Sequence, residues 1–192
     1  MKKSAHIAFF LLTMMFVLVS GVARADAPVP ARLQAQIIGK LASFDRNFAH
    51  RARGNALILI VQKPGDADSA QLAQQMAAAF NGLGDVGGVP KTVEIVPFST
   101  ATALAATCKS RNVALVYLST GLERDVAPIA AALAGGDVLS VGASAAHAER
   151  GTAVGFDLDG GKPKLVINLT AAKAQNVALK ADVLKLARIV GG

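Results

Sequence analysis

The chain is poor in the residues that most often carry chemistry. Among 192 residues there are one Cys, no Trp, one Tyr and three His, and aromatics make up 5%. A single Cys excludes an intramolecular disulfide and any zinc site built from several thiolates. So few aromatics argue against a sugar-binding surface or a platform for stacking single-stranded bases. The histidines are His6, His50 and His147. Scattered singly, they form no metal cluster, so neither a metal nor a cofactor is expected. What is abundant is apolar: 53% of residues are hydrophobic, too many for a disordered chain. The length suits one domain.

The first 25 residues have the form of a secretory signal. Lys2 and Lys3 precede an apolar run, Ile7 to Val19, and Ala23-Arg24-Ala25 supplies an A-x-A cleavage site. The run is short for a membrane span of about 20 residues. Residues 1–25 are therefore expected to be removed, leaving a single domain, 26–192, in the periplasm or outside a bacterial cell. Loss of Lys2, Lys3 and Arg24 lowers the formal net charge from +7 to +4. That is ordinary for solubility and lacks the dense basic stripe of a nucleic-acid binder.

Along the mature chain, Leu33, Ile37, Ile38, Leu41, Phe44 and Phe48 recur at helical spacing, predicting one helix from Ala31 to Arg53. Ala56 to Val61 is a continuous apolar run, as in a strand buried on both faces. Asp68-Ser69 opens a helix carrying Leu72, Met76 and Phe80. Further strands are expected at Thr92–Val96, Val113–Leu118 and Val138–Val141. Helices are expected after Ser99 or Thr100 and from Gly121 to Leu133, with Pro128 as a flaw in the second. Thr152–Leu158 and Lys164–Leu169 flank Asp159-Gly160-Gly161, a hairpin signature. A short helix from Thr170 and a terminal helix from Lys180 to Val190 close the chain. Alternation of this kind predicts an α/β domain. It has a mainly parallel, Rossmann-like sheet of about four strands flanked by helices, plus a C-terminal β-hairpin and terminal helix.

Most chemical motifs fail in context. Gly82-Leu-Gly84-Asp-Val-Gly87 matches a dinucleotide fingerprint in letters, but it leaves a helix and enters a strand, the reverse of what phosphate binding needs. Asp157-Leu-Asp159-Gly160 resembles part of a calcium loop without the later ligands. His147 reads as a polar loop residue. Paired with Ser144 or Glu149 it would be the base of a small hydrolase, although no nucleophile elbow supports that. Cys108, beside Lys109 and Arg111, reads either as a small buried hydrophobe or as a thiol whose pKa nearby cations lower, with an intermolecular disulfide as a further option.

Several segments together resemble one family. Leu165-Val-Ile-Asn168-Leu169, Ala171-Ala172-Lys173 and Val183-Leu184-Lys185-Leu186-Ala187 are similar to the end of the YfiR-like periplasmic proteins. Cys108 before Asn112 to Tyr117, the run Gly135 to Val141, and His147 to Gly151 resemble other segments of that family in the same order. The resemblance implies a non-enzymatic secreted regulator. Its partner would be a membrane receptor with a periplasmic domain, a diguanylate cyclase or a sensor kinase, which it would repress. Disulfides stabilise some members; here Cys108 has no partner.

In open α/β sheets, ligands and partners favour the loops at strand carboxyl ends. Those loops hold Lys63, Ser119, Thr120, Ser144, His147, Glu149 and Arg150, the candidate binding residues. A second candidate face is the first helix, through Phe44, Arg46 and Phe48, though Phe44 and Phe48 also fit a core stripe. A second copy of the chain is a further partner to consider. The alternatives to a regulator are a solute-binding protein, for which two lobes would be usual, and the small hydrolase.

Overall fold

The computed structural model describes residues 29–192; the expected signal peptide lies outside them. The elements run α1 (Ala31–Ala42), α2 (Phe48–Ala52), β1 (Ala56–Gln62), α3 (Ala67–Asn81), β2 (Lys91–Pro97), α4 (Ala101–Arg111), β3 (Val113–Leu118) and α5 (Val126–Leu133). They continue with β4 (Leu139–Gly142), α6 (Ala145–Arg150), β5 (Val154–Asp159), β6 (Lys162–Asn168), α7 (Leu169–Ala174), α8 (Ala181–Leu184) and β7 (Arg188–Val190). One sheet holds the strands in the order β2-β1-β3-β4-β5-β6-β7. All neighbours are parallel except β5 and β6, which form the expected antiparallel hairpin.

The apolar strand runs are buried on both faces because helices cover both. On one face Ile38, Leu41, Phe48, Met76 and Phe80 pack against Ile58, Ile60, Tyr117 and Val141. On the other, Leu104, Cys108, Ile129 and Leu133 pack against Leu59, Val61, Val116 and Leu118. The order β2-β1-β3 puts a switch point between β1 and β3, where successive crossovers leave to opposite faces.

The sheet has seven strands, against about four parallel strands and a hairpin expected. The missing one is β7, inside the expected terminal helix. That helix is only Ala181–Leu184. Beyond it Arg188, Ile189 and Val190 pair in parallel with Val166, Ile167 and Asn168. Pairing satisfies the backbone groups that β6 would otherwise leave at an open edge, a gain that local helical periodicity does not register.

The expected first helix is also two helices. Between them Asp45 is buried and its carboxylate accepts from the backbone N–H of Asn47 (3.1 Å) and Ala178 (2.9 Å). Arg51 donates to Asp45 (2.7 Å), to Asp137 (2.9 Å) and to the Asn176 carbonyl (3.0 Å). A continuous helix would aim Asp45 away from these donors. Two smaller corrections follow from helix-end chemistry. Asp66, not Asp68-Ser69, caps α3 by accepting from the Ser69 N–H. Residues Gly121 to Asp125 are a turn, so Pro128 falls in the first turn of α5, where its missing N–H costs nothing.

The side chains of Asp45 and Arg51 are 0% and 1% exposed. Removing one partner of such a pair strands a buried charge. Asp45→Ala is expected to lower stability by about 3–5 kcal/mol, read from the urea unfolding midpoint. A loss of under about 1 kcal/mol, the size of an exposed ion pair, would contradict this account.

Candidate functional site

The carboxyl ends of β1, β3 and β4 bring together five of the seven loop residues. The Lys63 ammonium pairs with Asp125 at 2.8 Å, and its backbone N–H donates to the Ser69 hydroxyl at 2.8 Å. The buried Ser119 hydroxyl donates to the Ser69 carbonyl at 2.9 Å. Thr120 follows it; its hydroxyl oxygen is buried and has no partner among the described residues. Gly121 has a φ of +81°, and a Cβ there would crowd the Asp66 carboxylate and touch the Lys63 side chain. The turn after β3 therefore lies tight against the turn after β1.

Ser144 and His147 complete the group. His147 is fully buried on α6, not in a polar loop as the sequence suggested. Its Nε2 lies 3.2 Å from the Ser119 carbonyl, which can only accept, so Nε2 carries the proton. Nδ1 then accepts from the Ser144 hydroxyl at 2.9 Å. The ring sits over Gly142, where any Cβ would overlap it. Burial holds the imidazole below its ordinary pKa; the Glu123 carboxylate at 4.0 Å and the Ser119 carbonyl oppose that, and Arg150 reinforces it. The ring is thus a neutral bridge between α6 and the end of β3.

The other candidates do not join this group. Glu149 pairs with Arg188 at 2.9 Å, and Arg150 is exposed at the end of α6. Phe48 is core, 1% exposed, and unavailable to a partner. Phe44 is half-buried beneath the Lys180 ammonium, 5.7 Å from the ring centroid, while Arg46 is exposed. Cys108 is buried, and burial pushes its thiol up to about 12, so the cation-activated alternative fails. Asp66, Glu123 and Asp125 were missed, and Ser69 was read only as part of a helix start. Asp66 and Ser69 carried a findable signal, an N-cap spacing directly after a strand.

The YfiR/HmsC-like family model matches residues 31–188. The chain belongs to that family. No curated protein sequence matches it. Among solved structures, it is similar to an ABC domain in complex with L-Trp from Streptococcus pneumonia, with TM-score 0.54 and 16% identity, over 84% of this chain and 62% of that one. It is also similar to a conserved domain protein from Vibrio cholerae, with TM-score 0.58 and 14% identity, over 85% and 60%. A third is a ligand-free, open substrate binding protein with adhesive properties from Clostridium difficile, with TM-score 0.54 and 9% identity, over 75% and 57%. These likenesses show the fold, and the YfiR-like chain spans about three-fifths of each neighbour's length.

Because folding holds His147 below its usual 6.5, the unfolded chain binds the proton more tightly. The contribution of His147 is complete above about pH 6.5. It is lost as pH falls below that value, with a slope of at most about 1.4 kcal/mol per pH unit. His147→Gln is expected to lose less stability than the wild type between pH 7 and pH 5 in urea titrations. Equal losses would remove His147 from the account.

Proposed function

We propose that this chain, after cleavage following Ala25, is a periplasmic regulatory protein. It represses a membrane-bound signalling protein, a diguanylate cyclase or a sensor kinase. The observation that carries this reading is the family match over nearly all of the described residues. No helix among the described residues is long and apolar enough to cross a membrane. The carboxyl edge is the proposed contact face, through Lys63, Thr120 and Ser144. There the turns after β1 and β3 and the start of α6 are braced by hydrogen bonds, so a partner meets a preformed surface. Repression then follows if the protein binds the inactive state of the receptor more tightly and shifts its population.

One observation favours a hydrolase, the 2.9 Å contact between Ser144 and His147. Against it, the ring is fully buried and its other nitrogen is spent on a backbone carbonyl rather than on an orienting carboxylate. A fluorophosphonate probe is expected to leave Ser144 unlabelled; labelling there would revive the enzyme reading.

The regulatory reading is tested in the host. A photocrosslinking residue at Pro64, exposed in the turn after β1, is expected to capture a membrane cyclase or kinase. The same residue at Lys109, on the opposite edge of the sheet, is not. Recovery of soluble metabolic proteins alone, or of nothing, would overturn the proposal.

A further inference from the structure

The amino edge of the sheet is hollow where the carboxyl edge is closed. A cavity of about 690 Å³ runs along α4 from Thr102 to Lys109 and opens at this edge between the ends of α2 and α5 and the turn that leads into β4. Its size is that of sites for small organic ligands. Its inner wall is apolar, formed by Cys108, Leu133, Val138 and the alanines of α4 and α5. Arg51, Arg53 and Lys109 stand around it, with Asp137 the one carboxylate in its lining.

The charges decide what such a space would hold. Arg51 is committed to Asp45 and Asp137. Arg53 and Lys109 are exposed and have no acidic partner among the described residues. The carboxyl ends of α2, α4 and α5 point to this edge and oppose an anion, but only as partial charges whose effect falls off within one turn. Arg53 and Lys109 each carry a full positive charge not spent on a carboxylate among the described residues, so the pair favours an anionic head group. Arg53 follows α2 in a left-handed backbone conformation, φ 48°. Lys109 lies in the last turn of α4.

We propose that this cavity binds a small amphipathic carboxylate. Its apolar body lies against Cys108 and Leu133, and its anionic head lies between Arg53 and Lys109. The site is separate from the proposed receptor face and does not rest on the regulatory reading, so either can fail alone.

Octanoate is the probe, with 1-octanol as its uncharged match. In a nitrogen-15 spectrum, octanoate is expected to shift the amides of Lys109, Gly135 and Gly136 in a saturable way. Octanol is expected to leave them in place, and Arg53→Gln with Lys109→Gln to abolish the response. Both substituted residues are exposed, so the double variant keeps the fold. Shifts elsewhere in the protein, equal shifts with octanol, or an unchanged response in the double variant would each overturn the proposal.

Discussion

One guanidinium organises the end of the molecule where the chain enters its fold. Arg51 lies on α2 and reaches three other segments: Asp45 in the break after α1, Asp137 before β4, and Asn176 after α7. Burying a charge this deeply is costly, and only near-complete hydrogen bonding offsets it. The bonds are correspondingly short and directional. The consequences extend outward. The break that lets Asp45 meet Arg51 turns α2 so that Phe48 enters the core beside Ile38 and Leu41. Asp137, held by the same group, fixes the turn that leads into β4. Arg51 and Asp137 also line the cavity at that edge.

A comparable logic operates at the other edge with neutral groups. His147 joins Ser144 to the carbonyl of Ser119, and Ser119 in turn reaches Ser69 at the start of α3. These bonds link α6, the end of β3 and the start of α3 across the switch point of the sheet. Gly142 is required because the imidazole occupies the space a side chain would need. The serine–histidine contact that resembles a catalytic pair is therefore first a structural bridge. Its buried position explains why the ring stays neutral and why Ser144 is its only hydroxyl donor among the described residues.

What could be read from sequence divides along physical lines. The strands β1 and β3 were plain because both faces are buried, which leaves an uninterrupted apolar run. The hairpin of β5 and β6 was plain because Asp159-Gly160-Gly161 is local turn chemistry. The break after Ala42 was hidden because it depends on partners 92 and 133 residues beyond Asp45, at Asp137 and Ala178. Strand β7 was hidden because three residues carry no period of their own; only the waiting edge of β6 makes them a strand. That Lys63, Ser119, Thr120 and Ser144 converge at one edge followed from topology alone, since loops at strand ends converge in a parallel sheet. Phe48, Glu149 and the state of His147 did not, because each is decided by packing or by a distant charge.

The two edges of one sheet thus have different physical characters. At the carboxyl edge most polar groups are already paired, so a small ligand would have to displace a bond for each one it formed. Such a surface suits a large partner, which gains from shape and area rather than from a few strong contacts. Thr120, whose hydroxyl lacks a partner among the described residues, is the exception within it. At the amino edge, two cations stand free over an apolar hollow, so a small anion gains contacts without breaking any. A ligand there would also touch Leu133 at the end of α5 and Val138 just before β4. β4 ends in Gly142, directly beneath His147. The four-residue strand β4 thus runs from the rim of the hollow at one edge to the histidine bridge at the other.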